Sequence, residues 1–180
     1  MVGDRLSDAG ERTTRANAFI RLADQHLDAS YRLASAILGN PADAEDATHD
    51  ALIQAWRHWS QLRDQARFEP WFDRIVVNTC RNRLRHNARR PTQDFSSELA
   101  VAGRDPFRQA DDRDEMRVAI DRLSPDHRVV IALRYYLDLS NDEIAVRLGV
   151  PAGTVNSRLH YALGGLKRAL QEAGVTGADR

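Results

Sequence analysis

Asp46, His49 and Asp50 fall at i, i+3 and i+4 of a helical stretch, so two carboxylates and an imidazole share one face, a set able to approach a divalent cation. Cys80 and His86 offer a thiol and a nearby base. Neither set predicts chemistry. A hard-ligand site needs donors converging from several elements, and Cys80 lies in an apolar stripe where a buried, unreactive thiol is expected. No glycine-rich phosphate loop or nucleophile elbow is present. The sequence therefore predicts a protein that is not an enzyme and uses neither metal nor cofactor.

A third set is of another kind. Arg74, Asn78, Arg81 and Arg85 fall at i, i+4, i+7 and i+11, which puts four polar, mostly cationic side chains along one helix face. From Arg74 to Arg90 every formally charged side chain is arginine, whereas between Leu33 and Trp56 every one is acidic: Asp43, Glu45, Asp46 and Asp50. Net charge is zero, from 26 basic and 26 acidic residues, so the chain is not basic all over; its charges are segregated by segment. Lys167 is the only lysine, a compositional bias that says little about function.

Helices must position these groups. Strand signals are sparse, limited to short apolar runs such as Val129-Val130-Ile131, and the fold class is read as all-α: two small helical domains joined by a flexible linker. Residues 1–15 lack periodicity and read as a disordered leader. A first helix runs from about Ala16 to Leu38 on a stripe through Phe19, Leu22, Ala23, His26, Leu27, Ala34, Ile37 and Leu38, and Gly39-Asn40-Pro41 stops it. The next helix places Asp43, Glu45 and Asp46 in its first turn, where carboxylates suit the helix dipole. It buries a stripe that includes Ala44, Thr48, Ala51, Leu52, Ala55, Trp56 and Trp59. Dipole satisfaction accounts for Asp43 and Glu45 but poorly for Asp50. Pro70 fits the first turn of a third helix, with Phe72, Ile75, Val76, Thr79, Cys80 and Leu84 as its buried stripe.

Residues 91–110, with Ser96-Ser97, Gly103 and Pro106, read as the linker. Beyond it, Met116, Ala119, Ile120 and Leu123 mark one helix. Ser124-Pro125 opens another, with Val129, Val130, Leu133 and Tyr136 as its core face. Ser140-Asn141-Asp142-Glu143 is a capping box, Gly149 supplies a left-handed exit, and a last helix holds Thr154 to Ala169. Small Ala145, Gly149 and branched Val155 suit the tight crossing of a helix-turn-helix, whose second helix enters a major groove. An ordinary α-hairpin of a helical bundle needs the same residues, so the motif alone leaves that reading open beside DNA binding. Gly164-Gly165 predict a frayed end to the last helix.

Taken in order, several blocks resemble an extracytoplasmic-function (ECF) sigma factor of the sigma-70 family. They are Gly39-Asn40-Pro41-Ala42-Asp43-Ala44-Glu45-Asp46, Ala55-Trp56, Trp71-Phe72 with Arg74-Ile75 and Asn78, the arginine tract, Leu123-Ser124-Pro125 and Leu133-Arg134-Tyr135. Glu143-Ile144-Ala145, Leu148-Gly149-Val150-Pro151 and Gly153-Thr154-Val155-Asn156-Ser157-Arg158-Leu159-His160 complete the series. The resemblance implies a region 2 domain over 16–90, a region 4 helix-turn-helix domain over 111–172 and a tail at 173–180. It implies docking of the acidic helix on core RNA polymerase through Asp46, His49, Asp50 and Ile53. The −10 element would be bound and melted by Phe68, Trp71, Arg74, Asn78, Arg81, Asn82 and Arg85, the two aromatics stacking on unpaired bases. Arg134, Thr154, Asn156, Ser157, Arg158, His160, Tyr161 and Lys167 would meet the −35 element, with Arg168 near phosphate. An anti-sigma factor is a further implied partner. The chain's own pattern leaves one other reading open, a helix-turn-helix regulator that never joins polymerase. No export signal or membrane-spanning run is seen, which predicts a cytoplasmic protein, and one cysteine precludes an intrachain disulfide.

Overall fold

The computed structural model describes residues 3–88 and 115–172, with side chains from Thr13 onward. Regular structure among the described residues is helical: α1 Gly3–Leu38, α2 Pro41–His58, α3 Phe68–Asn87, α4 over 115–121, α5 Pro125–Ile131, α6 Asn141–Leu148 and α7 Ala152–Glu172. Two short 3₁₀ turns, Trp59–Gln61 and Gln65–Arg67, join α2 to α3, and a π turn, Ala132–Tyr136, extends α5. The linker at 91–110 and the tail at 173–180 fall outside the described residues.

Local chemistry sets most boundaries. Gly39 leaves α1 at φ +70°, and the Asn40 side chain accepts from the Asp43 N–H at 3.1 Å while Pro41 takes the first position of α2. Ser124 and Pro125 open α5 in the same manner. At α6 the Glu143 N–H donates to Ser140 Oγ at 3.3 Å and the Ser140 N–H donates to Glu143 Oε2 at 2.8 Å, the reciprocal box expected from the sequence. Gly149 then exits at φ +64°.

Three expectations change. α1 begins at Gly3, not near Ala16, because apolar periodicity reports burial rather than helicity. Trp59 Nε1 donates to the Arg15 carbonyl at 3.1 Å and Arg15 Nη2 returns a bond to the Trp59 carbonyl at 3.3 Å, so the leader's last residue is tied to the core. Tyr136 is half-exposed: the π turn rotates it away from the face that buries Val129, Val130 and Leu133. The Gly164-Gly165 pair does not end α7. A Cβ on Gly165 would lie 3.0 Å from Leu123 Cδ2, so glycine here allows a close approach of α7 to Leu123, two residues before α5.

In the first half, alanines 44, 47, 51 and 55 of α2 are fully buried and let α1 lie close against it, with Leu33, Ala34 and Ile37 facing them. α3 closes this layer through Phe72, Val76, Val77 and Cys80. In the second half, Val129, Val130 and Leu133 meet Val155, Leu159 and Ala162, with Ile144 of α6 completing the helix-turn-helix. The buried cluster runs on from one half into the other: α3 packs against α5 and α6, and α1 against the π turn.

Candidate nucleic-acid interface and acidic face

On α2 the spacing that buries the alanines leaves Asp46, His49, Asp50 and Ile53 exposed together. Two of these are not free carboxylates. Arg83 of α3 reaches across, with Nη1 at 3.2 Å from Asp43 and 3.0 Å from Asp46, and Nη2 at 3.2 Å from Asp50. Partial burial works against the charge on Arg83, but hydrogen bonds to Asp46, Asp43 and Asp50 outweigh it and its pKa lies above the ordinary value. The acidic face is therefore a clasped set, with three aspartates held around one guanidinium. Trp56, expected in the core, is 50% exposed beside this face and packs edge-on against Phe19 at 5.1 Å.

On α3 the candidate −10 residues separate into two fates. Phe68 is 1% exposed, ringed by Phe19, Trp59, Trp71 and Phe72, so the expectation that it stacks on a base is corrected to a core role. The 3₁₀ turn just before it rolls the start of the helix inward. Trp71, one turn later, is half-buried and lines a cleft of about 280 Å³ together with Gln54, His58, Gln61, Arg74, Ile75 and Asn78. Three predicted residues thus meet around one aromatic-walled space. Sequence reasoning missed Gln54, His58 and Gln61, which come from the end of α2 and the turn after it; a polar run beside Trp59 was the available signal. Asn82 stays exposed.

Farther along α3 the cations are engaged. Arg81 Nε lies 2.7 Å from Asp126, Arg85 Nη2 lies 3.8 Å from the same oxygen, and Arg158 of α7 reaches the other oxygen at 3.5 Å. Burial lowers the Arg81 pKa more than Asp126 raises it. Arg74 packs over the turn of the helix-turn-helix: a Cβ on Gly149 would come within 2.9 Å of its guanidinium.

In the second half α7 exposes Asn156, Ser157, His160, Tyr161, Lys167 and Arg168, with Thr154 and Arg158 half-buried. Val155, Leu159 and Ala162 hold its inner face. Asn156 accepts from the Asn141 side chain, and Ser157 Oγ donates back to the Gly153 carbonyl at 2.9 Å. Arg134, expected near phosphate, is half-buried and donates to the Leu139 carbonyl at 2.8 Å, bracing the loop that leaves the π turn, where Asp138 takes φ +52°.

Cys80 is fully buried, and burial pushes its thiol up to about 12. At pH 8 the native protein should therefore resist a maleimide for as long as it stays folded, with labelling appearing only through the denaturant transition; fast labelling without denaturant would contradict this burial. No group of three or more His, Cys, Asp or Glu among the described residues is placed to hold a metal ion.

An exposed recognition helix set behind a capped, glycine-turned partner defines the class as helix-turn-helix DNA-binding proteins. Comparison narrows it. Residues 22–90 match the family model described as Sigma-70 region 2 and residues 113–164 the model described as Sigma-70, region 4. The ECF RNA polymerase sigma factor SigL of Mycobacterium tuberculosis is 33% identical over 178 residues, covering 93% of this chain and 97% of the relative. The RNA polymerase sigma-E factor of Streptomyces avermitilis is 31% identical, covering 80% of each chain. Among solved structures, the sigma factor RpoE of Bartonella quintana, crystallised with the anti-sigma factor NepR, superposes with a TM-score of 0.67 at 22% identity, over 90% of this chain and 98% of that one. The chain belongs to the sigma-70 family, in its ECF group: it is a sigma factor directing transcription initiation, one of a family of non-catalytic initiation factors.

Proposed function

We propose a division of labour among the three surfaces. The α2 face docks on core RNA polymerase through Asp46, His49, Asp50 and Ile53, carboxylates orienting the encounter with a basic partner and Ile53, with half-exposed Trp56 beside it, adding apolar contact. The cleft at the start of α3 captures an unpaired base of the −10 element, Trp71 offering a stacking wall and Asn78 a hydrogen-bonding edge, with Asn82 farther along also facing base edges, while Arg74, Arg81 and Arg85 meet the backbone. α7 reads the −35 element through Thr154, Asn156, Ser157, His160 and Tyr161, with Arg158, Lys167 and Arg168 nearer phosphate. The observation that carries this reading is the meeting of Trp71, Arg74 and Asn78 around one open cleft.

The functional units are 16–90 and 111–172, joined through 91–110. An anti-sigma factor is the expected inhibitor; the Bartonella protein was crystallised with one, and so was the sigma factor CnrH, with the cytosolic domain of CnrY, which superposes with a TM-score of 0.61 at 23% identity, over 89% of this chain and 97% of that one. The protein works in the cytoplasm, a reading supported by the family and by the lack, among the described residues, of a helix long and apolar enough to cross a membrane.

Reader and anchor are separable by experiment. Replacing Asn156 with alanine should change preference at one or two −35 positions by about 1–3 kcal/mol while barely altering binding to unrelated DNA. Replacing Arg81 and Arg85 together should weaken open-complex formation on all promoters and flatten its salt dependence. A panel of promoter variants, measured with polymerase at two salt concentrations, tests both; the opposite pattern would reverse the two roles.

A further inference from the structure

Within the helix-turn-helix, Asn141 opens α6, and its side-chain Nδ2 donates to Oδ1 of Asn156 on α7. The elements that carry the pair are fixed. The Ser140 and Glu143 box sets the first turn of α6, and Ile144 and Val155, both fully buried, hold α6 against α7. Asn156 is exposed, whereas Asn141 is half-buried and its Oδ1 is buried with no hydrogen-bond partner among the described residues. An oxygen suits that inner place, because the leading N–H groups of α6 put the positive end of the helix dipole there. The amide of Asn156 is therefore oriented: its oxygen is turned to Asn141, and its two N–H donors are left to the exposed side of α7.

Orientation decides what such a side chain reads. A free asparagine pairs with adenine in the major groove, its oxygen accepting from N6 and its nitrogen donating to N7. With the oxygen engaged, the N–H donors of Asn156 would meet the N6 donor of adenine or the N4 donor of cytosine, donor against donor. Guanine, through N7 and O6, and thymine, through O4, present acceptors. The contact with Asn141 also holds Asn156 in place before DNA arrives, so less side-chain freedom is lost on binding.

We propose that Asn141 is a positioning residue that sets the base preference of Asn156, the pair selecting guanine or thymine over adenine or cytosine at the −35 base that Asn156 meets. This selection rests on the reading of α7 given above.

The holoenzyme, this chain with core polymerase, tests the pairing on templates randomised across the −35 element, with transcripts sequenced to rank the four bases at each position. Asn156→Ala identifies the position that Asn156 reads, as the one whose preference it flattens. There the wild type should favour guanine or thymine over adenine and cytosine by on the order of tenfold. Asn141→Asp is the deciding variant. An aspartate only accepts, so it takes an N–H from Asn156 and turns Asn156 Oδ1 outward, while its charge suits the first position of a helix. The favoured base at that position should then change to adenine or cytosine. The added negative charge weakens binding to every sequence alike and cancels in the ratio of bases. Asn141→Ala frees the amide and should raise adenine toward parity with guanine. An unchanged ranking in Asn141→Asp, with output lowered on all templates alike, makes Asn141 a merely structural residue and overturns the proposal. A wild-type preference for adenine at that position overturns it as well. Should Asn156→Ala flatten no −35 position, the reading of α7 through Asn156 fails first, and the proposal falls with it.

Discussion

Exchanging Asp46 and Asp50 for lysine is expected to weaken binding to core polymerase by roughly tenfold to a hundredfold, about 1.4–2.7 kcal/mol, with the helical signal unchanged. Both side chains project from the exposed side of α2, opposite the buried alanines, so the exchange leaves the packing of α1 on α2 intact. The effect has two sources, which Arg83 allows to be told apart. Lysines placed at 46 and 50 repel a basic partner and also repel Arg83, which sits 3.0 Å from Asp46 and 3.2 Å from Asp50. Asp46→Ala with Asp50→Ala removes the attraction without the repulsion and should give the smaller part of the loss. Arg83→Ala frees the three aspartates and should not abolish docking. Equal pull-down of polymerase by wild type and the double-lysine variant would move the docking surface elsewhere.

Trp71→Ala should lower open-complex formation by roughly 5- to 150-fold, the equivalent of about 1–3 kcal/mol for one base stacked on an aromatic ring, while leaving binding to polymerase unchanged. Phe68→Ala makes the informative contrast. Phe68 is sealed among Phe19, Trp59, Trp71 and Phe72, so its truncation should cost about 3–5 kcal/mol of stability and reach transcription only through the folded fraction. Thermal unfolding and permanganate footprinting of the melted region separate the two. A Trp71 variant that unfolds as readily as the Phe68 variant, with normal melting once corrected for folded protein, would return Trp71 to the core.

Phe68 and Trp71 show where sequence legibility stops. They are three residues apart at the start of one helix, and both read as aromatic side chains beside a cationic face. Which one turns inward depends on the 3₁₀ turn Gln65–Arg67, a geometry no periodicity reveals. Caps were legible because their chemistry is local: Ser124, Ser140 with Glu143, and Gly149 each act within about four residues. The arginine ladder was legible as a face, but its partners were not. Asp126 lies 45 residues from Arg81, Asp73 lies 74 from Arg147, and Arg83 stands off the ladder toward α2. Ladder spacing says which side chains share a face and nothing about what that face meets. A single signal pointed to Arg83: Asp43, Asp46 and Asp50 at i, i+3 and i+7 form a line of like charge that a long cation from a neighbouring helix would relieve.

Reconstituted run-off transcription bears most directly on the assigned surfaces. Core polymerase with this chain would be supplied with a library of templates randomised over the upstream region, and start sites mapped by sequencing. The account predicts initiation that depends on the chain, at start sites sharing two elements, with Trp71→Ala altering selection only at the nearer element and Asn156→Ala only at the farther one. Chain-dependent initiation in which the two variants change selection at the same element, or at neither, would contradict it.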